Sequence, residues 1–256
     1  MSLEPWQWAL GATAALMVGV SKTGVPGIGI LVVPLLAAVF GGRLSAGVML
    51  PMLIMGDVFA VAWYRRHARW DKLVGLLPWV VFGMALGTVA LKITGDAKGS
   101  KDLTDIVIGA MVLAMLALHL LRNRLGEQFA PTSPVGVAST GAGAGFATTV
   151  SNAAGPIMQM YLAAHRMPKE QFMGTIAWYF FIINVSKFPI YVVLSAMIPA
   201  RPLVTASSLA FNAAVFPLIV VGVFIGRWLL PRIPQKMFDV VVIVLAAVGA
   251  VRLILS

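Results

Sequence analysis

Two short polar segments that interrupt apolar sequence hold the residues best suited to bind a ligand. The first is residues 21–27, SKTGVPG, and the second is residues 151–156, SNAAGP. Gly and Pro in these positions predict a helix that breaks inside an apolar stretch. The half-helix that follows such a break has free N–H groups at the positive end of its dipole, and these attract an anion. Together with the hydroxyls, the amide and the cation, they predict a site for sulfite, a sulfonate, a carboxylate or a phosphate.

Two lysines stand alone in apolar sequence. Lys22 is the only charged residue in positions 5–42, and Lys187 follows the apolar run 176–186. An isolated charge inside a membrane is costly, so we interpret each lysine as a candidate ligand of the anion. Two alternatives stay open: Lys22 can extend to a membrane interface, and Pro189 can end the helix of Lys187 near one.

One acid also stands alone. Asp57 is the only acidic residue in the apolar stretch 44–64. It is the candidate carrier of a coupling proton, or it pairs with Lys22, or it accepts hydrogen bonds in a structural role; the sequence leaves these three open.

Further polar or aromatic residues share the apolar stretch of Lys187. The candidate substrate-binding residues are Ser21, Lys22, Thr23, Gly24, Ser151, Asn152, Thr175, Trp178, Asn184 and Lys187.

The composition is that of a membrane protein. Of 256 residues, 60% are hydrophobic and 11% are charged, whereas soluble domains are about 45–50% apolar and about 25% charged. The net charge of +10 comes from short basic runs between apolar stretches. This pattern favours contact with lipid and argues against a nucleic-acid partner. The chain has no cysteine and three scattered His residues, so we expect no disulfide, no metal, no other cofactor and no enzymatic activity.

The apolar runs predict an all-α polytopic membrane protein with two related halves, residues 1–125 and 135–256, in one transmembrane domain. Each half opens with a broken element and continues with three full-length spans. The first apolar segment lacks a basic leader, so we expect it to belong to the mature fold. The clearest alignment of the first half with the second half places Pro34 opposite Pro156. The broken elements are 6–20 with 28–40 and 135–150 with 157–164; the spans are 44–64, 73–91, 103–121, 172–198, 203–230 and 237–255.

The loop charges favour an inverted repeat. Arg65, Arg66, Arg69 and Lys72 form the most basic short loop, which the positive-inside bias places in the cytoplasm. If each broken element is a re-entrant hairpin that returns to its own side, the halves are inverted and most other basic loop residues are also cytoplasmic. If each broken element crosses the membrane, the halves are parallel and several of those residues lie outside. We therefore favour the inverted arrangement.

These segments resemble the sulfite exporter TauE/SafE family, also called the four-toluene sulfonate uptake family. The resemblance rests on residues 21–27, 33–35, 152–158, 172–175 and 184–189 and extends over nearly the whole chain. It implies a multi-pass permease of the bacterial inner membrane, with two related halves, that moves sulfur-containing oxyanions or small organic anions. The second break departs from the family pattern, since Ser and Asn stand where glycines are common, and this leaves the substrate open. The family includes both importers and exporters, so it does not imply a direction.

We therefore expect a secondary transporter that moves a small anion by alternating access. The alternative is an uncoupled anion channel. An intramembrane enzyme would need a nucleophile with its base or a metal site, and neither is evident; one acid and two lysines fit a cation transporter poorly. The expected partners are a small anionic substrate and the lipid bilayer, and the sequence leaves open whether the chain forms a homo-oligomer.

Overall fold

The computed structural model describes residues 3–24, 28–96, 133–165, 167–229 and 232. All regular elements in these ranges are helices, which confirms the predicted all-α class. A short 3-10 turn, Arg65–His67, follows the third helix. In chain order the α-helices are α1 (Pro5–Thr23), α2 (Gly29–Phe40), α3 (Gly42–Tyr64), α4 (Trp70–Val74), α5 (Leu77–Asp96), α6 (Pro134–Ser151), α7 (Gly155–Ala164), α8 (Lys169–Met197) and α9 (Ala206–Leu229).

Four of these helices, α3, α5, α8 and α9, are long and apolar enough to cross a membrane. They lie at four of the predicted spans, and they confirm a multi-pass membrane protein. Helix α5 begins later than predicted, because the short helix α4 and a turn at Gly75 take up the first residues of that run. The predicted spans 103–121 and 237–255 lie outside the described residues.

Both predicted helix breaks are present. Helix α1 ends at Thr23 before α2 begins at Gly29, and α6 ends at Ser151 before α7 begins at Gly155. At the second break Asn152 has φ 54° and ψ 23°, a left-handed conformation that Asn adopts more readily than most other residues. Each break joins two helices into a pair. We call α1–α2 the first hairpin and α6–α7 the second hairpin.

Helices α3 and α8 pack side by side in opposite directions. Ala46, near the start of α3, shares an apolar cluster with Tyr191 and Leu194, near the end of α8. Gly174, near the start of α8, lies against the backbone of Tyr64, the last residue of α3. We call the two ends of this central pair the Ala46 end and the Tyr64 end.

The first hairpin begins and ends at the Ala46 end. Trp8 of α1 and Phe40 of α2 both pack on Phe211, near the start of α9, with ring centroids 5.2 and 5.0 Å from its ring. The segment that leads into α9 contains Leu203, which belongs to the same cluster as Ala46. Both outer ends of α1–α2 are therefore at this end of the molecule.

The second hairpin begins and ends at the Tyr64 end. Gly141, in the first half of α6, lies against Leu76, in the turn that precedes α5, so the residues before Gly141 lie still closer to that end. Near the end of α7, the Tyr161 hydroxyl donates to the Lys72 carbonyl at 2.9 Å. Leu76 and Lys72 belong to the connection that follows Tyr64. The two hairpins thus open at opposite ends of the molecule.

Glycines bring one helix of each hairpin close to a neighbouring spanning helix. A Cβ on Gly19 of α1 would overlap the Ile219 carbonyl of α9, and a Cβ on Gly145 of α6 would overlap the Val80 carbonyl of α5. Small residues permit this approach between helices that have no hydrophobic effect to drive them together in lipid. The pairs α1–α9 and α5–α6 flank the central pair α3–α8.

Candidate functional site

Both hairpins and both central helices line one cavity of about 60 Å³. At about 10–15 Å³ for one water molecule, it has room for about four to six water-sized groups. One part of the lining is polar: Ser21, Lys22, Asp57, Thr148, Asn152, Gln159 and Asn184. The rest is apolar and includes Met49, Leu53, Met173, Ile176 and Phe180.

A three-residue cluster joins the first hairpin to the central helices. The Lys22 ammonium lies 2.6 Å from one carboxylate oxygen of Asp57, and the Asn184 amide donates to the other oxygen at 2.7 Å. The Lys22 ammonium also lies 4.4 Å from the centre of the Phe180 ring. The Asp57 side chain is fully buried, and that of Lys22 is 10% exposed. Opposite charges that are buried together satisfy each other, which explains how both are tolerated within an apolar span.

Lys187 forms a second cluster, with the second hairpin. Its ammonium donates to the Thr148 carbonyl at 2.9 Å, to the Thr148 hydroxyl at 2.8 Å and to the Asn152 side-chain oxygen at 2.7 Å. Three acceptors use all three donors of a lysine. The Asn152 amide in turn donates to the Ala46 carbonyl at 2.9 Å.

Helices α2 and α7 both begin at the cavity. Their first residues, Gly29 and Gly155, line it. Their N-termini therefore bring two positive dipole ends to the same space. The Gly29 N–H donates to the Ser21 hydroxyl oxygen at 3.1 Å, so the Ser21 O–H is available to donate to a solute. Two helix starts, a hydroxyl and an ammonium therefore line one cavity, and positively polarised groups of this kind favour an anion.

Four of the predicted substrate-binding residues line the cavity: Ser21, Lys22, Asn152 and Asn184. The predicted proton carrier Asp57 lines it too. Lys187 contacts two lining residues without being part of the lining. Within the described residues the Asn184 side-chain oxygen has no hydrogen-bond partner, so it can accept from a bound solute. Contact of any of these residues with a substrate stays a prediction.

Two residues of the first break face another helix. The Thr23 hydroxyl donates to the Val223 carbonyl of α9 at 2.6 Å, and Gly24 lies against the backbone of Gly226. Both support the packing of α1 on α9 and are not part of the cavity lining.

Three residues of the second half also contact backbone outside the cavity. The Ser151 hydroxyl donates to the Ala147 carbonyl at 3.1 Å, one turn back in α6. The Thr175 hydroxyl accepts from the Arg69 N–H at 2.9 Å, and the Trp178 indole donates to the Arg65 carbonyl at 3.3 Å. Thr175 and Trp178 therefore attach the basic loop to the start of α8.

Among the lining residues that sequence reasoning did not select are Gln159 and Phe180. Gln159 carries a signal in retrospect, because it is the only amide in the apolar run 157–164. Phe180 carries none, since it is one of several aromatic residues on its helix and only the fold brings it beside Lys22.

Comparison with known proteins gives one match. The model of a protein family described as sulfite exporter TauE/SafE matches residues 11–253, nearly the whole chain. No curated protein and no solved structure matches this chain.

Proposed function

We propose that this chain, which belongs to the sulfite exporter TauE/SafE family, is a secondary transporter that moves a small anion across the bacterial inner membrane by alternating access. The anion we propose is sulfite, a sulfonate or related organosulfur anion, or a small carboxylate. The observation that carries the proposal is the meeting of Lys22 and the N-termini of α2 and α7 at one cavity. These groups come from both halves, so a solute bound there contacts both.

The charges at the site favour a substrate with a negative charge. Lys22 and Lys187 supply two positive charges against the single carboxylate of Asp57. An anion beside Lys22 would offset the excess in a region that water reaches poorly. The apolar side of the cavity, with Met49 and Met173 among others, suits a short carbon chain on that anion.

An inverted repeat would supply the two states that alternating access needs. The antiparallel pair α3–α8 and the opposite openings of the two hairpins support such a repeat, with residues 1–125 and 135–256 as its halves and the hairpins as re-entrant elements. The contacts favour a register different from the one that places Pro34 opposite Pro156. The Tyr64 hydroxyl donates to the Thr23 carbonyl and the Tyr191 hydroxyl to the Thr149 carbonyl. These tyrosines are 127 residues apart, the same separation as Asp57 and Asn184.

Asp57 is the residue we assign to proton coupling. When an anion attracts the Lys22 ammonium, the Asp57 carboxylate loses the partner that lies 2.6 Å away. A buried carboxylate without a counter-ion is costly, and a proton removes that cost. Anion and proton would then cross together.

The test is flux in proteoliposomes. Sulfite, sulfoacetate, taurine, isethionate and lactate are loaded in turn, with and without a pH gradient, and Lys22→Ala is compared with Lys92→Ala, a lysine exposed on α5. We expect saturable flux of one anion, driven uphill by the gradient, that only Lys22→Ala abolishes. Flux that never runs uphill indicates the uncoupled channel instead, and flux unchanged by Lys22→Ala contradicts the site.

A further inference from the structure

We propose that Lys187 is a gate residue: its ammonium holds the second hairpin against α8 and closes the cavity toward the Ala46 end, while the cavity extends toward the Tyr64 end. This inference rests on the proposed function, because a gate matters only in a chain that lets a solute pass. It gives Lys187 a role other than that of a substrate ligand.

The bonds of Lys187 all go to the second hairpin. Its three partners belong to Thr148 and Asn152, at 2.7 to 2.9 Å, and the side chain is fully buried. Hydrogen bonds from a charged donor are among the strongest in proteins. No donor of Lys187 is left for an anion in this state.

Two further bonds hold the tip of the same hairpin. The Asn152 amide donates to the Ala46 carbonyl of α3 at 2.9 Å, and the Tyr191 hydroxyl of α8 donates to the Thr149 carbonyl at 2.6 Å. The tip is therefore attached to both central helices. Any path toward the Ala46 end requires it to move.

Equivalent positions in the two halves differ in burial. Gln159 lines the cavity and is partly exposed, whereas Val32, its equivalent in the register that aligns Tyr64 with Tyr191, and the adjacent Val33 are 0% and 3% exposed. Tyr191 is fully buried, whereas Tyr64 is partly exposed. A symmetric state would give equal burial, so the molecule is in a state that is closed on one side.

From the lining residues of α8 we infer which end is open; on α3 the lining runs along the middle of the helix, from Met49 to Ala60. On α8 the lining residues run from Met173 to Asn184, the half of that helix nearer the Tyr64 end. Lys187 comes three residues after the last of them and stands between the cavity and the Ala46 end. The state described here thus faces the side of the basic loop, Arg65 to Lys72.

Passage through the other end then requires Lys187 to release Thr148 and Asn152. Removing the ammonium weakens the closed state relative to the state open at the Ala46 end. The ammonium makes three hydrogen bonds, and the loss of even one bond to a charged group corresponds to about a tenfold change, so we expect that equilibrium to change at least about tenfold.

Cysteine labelling tests this in the full chain, which has no cysteine of its own. Gln159→Cys and Val33→Cys are made singly, and a membrane-impermeant anionic thiol reagent is added from each side of oriented vesicles. We expect Gln159→Cys to react from the side of the basic loop and Val33→Cys to be protected. Adding Lys187→Met should raise the reaction rate of Val33→Cys from the opposite side at least about tenfold, and adding Lys92→Met, the matched exposed lysine, should not.

Equal reactivity of the two cysteines in the parent chain, or no response of Val33→Cys to Lys187→Met, overturns the proposal. If Lys187→Met does not fold, Thr148→Val removes one acceptor and should produce a smaller increase of the same sign; no increase overturns the proposal equally. The labelling needs no substrate, so its failure is distinct from a failure of the flux assay. Flux with unchanged labelling contradicts the gate alone, and the expected labelling without any anion flux contradicts the transport function alone.

Discussion

Asn184 donates a hydrogen bond to Asp57 at 2.7 Å across the central helix pair, and the two residues are 127 positions apart. In the repeat that we propose, which aligns Tyr64 with Tyr191, they would be equivalent residues of the two halves. An acid therefore meets an amide where α3 and α8 touch. Two acids would repel each other there, and two amides would leave Lys22 without its counter-ion.

Replacing Asn184 with Asp tests this asymmetry. Two adjacent carboxylates cannot both ionise easily, so we expect Asn184→Asp to be less stable at pH 8 than at pH 5.5, by about 1–3 kcal/mol. The parent chain should show a smaller difference. Thermal unfolding in detergent at the two pH values measures the effect, with Asn184→Leu as the control that adds no charge. Equal melting temperatures of Asn184→Asp at both pH values would show that the second carboxylate does not face the first.

The Lys22–Asp57 ion pair predicts a non-additive double mutant. Lys22→Met and Asp57→Leu each leave one buried charge alone and should each lower stability by about 3–5 kcal/mol. The double mutant leaves neither charge of this pair without its partner and should be more stable than either single mutant. Its anion flux should nevertheless be absent, because the cation that binds the substrate is gone.

Thermal unfolding and proteoliposome flux are measured on all three variants. The exposed pair Arg69 and Asp71, joined at 2.9 Å, is the control; its removal should change the melting temperature little, since exposed pairs contribute little. A double mutant that still moves the anion would contradict the role of Lys22.

Substitutions of Gln159 test the sign of the charge on the substrate. Gln159→Leu removes one donor from the cavity and should raise the KM for the anion about threefold to tenfold. Gln159→Glu keeps the shape and adds a negative charge, so flux of an anion should fall further than in Gln159→Leu. Concentration-dependent flux measures both variants, and unfolding temperatures confirm that each is folded. Unchanged or faster flux in Gln159→Glu would mean that the solute is not an anion.

Two neighbouring glycines of α6 should respond in opposite ways to the same substitution. A Cβ at Gly145 overlaps the Val80 carbonyl, so Gly145→Ala should cost about 1–3 kcal/mol by overpacking. A Cβ at Gly143 has its nearest neighbour, on Ile157, at 3.7 Å, an ordinary contact. Gly143→Ala should therefore gain up to about 1 kcal/mol of helix propensity. Thermal unfolding compares the two, and equal effects would contradict the close packing of α5 and α6.

The sequence predicted the helices and their breaks, because apolar length and the placement of Gly and Pro are local properties. The helix breaks between Thr23 and Gly29 and between Ser151 and Gly155 lie within the predicted segments, and four spans lie where apolar runs placed them. Pairing with Lys22 was one of the three roles that the sequence left open for Asp57. It was considered because each of the two residues is the only charge in its own apolar stretch.

The sequence did not predict which side chains form hydrogen bonds across helices, because such bonds depend on which carbonyl of another helix lies nearby. Thr23 and Thr175 carry the same hydroxyl as Ser21, yet they bond to backbone outside the cavity. The register that we propose for the two halves rests on the tyrosine contacts of the fold, because the low identity between the halves gives no alignment.

The packing of α1 on α9 has a consequence for how the protein is made. The Thr23 hydroxyl bonds to the Val223 carbonyl, 200 residues further along the chain. The ribosome releases α1 first and α9 much later, so lipid or an insertion factor must cover the Gly19 face of α1 during most of synthesis. Helix α6 emerges when its partner α5 has already been inserted. The pair α5–α6 can therefore assemble while translation continues, whereas α1 finds its place only after α9 has entered the membrane.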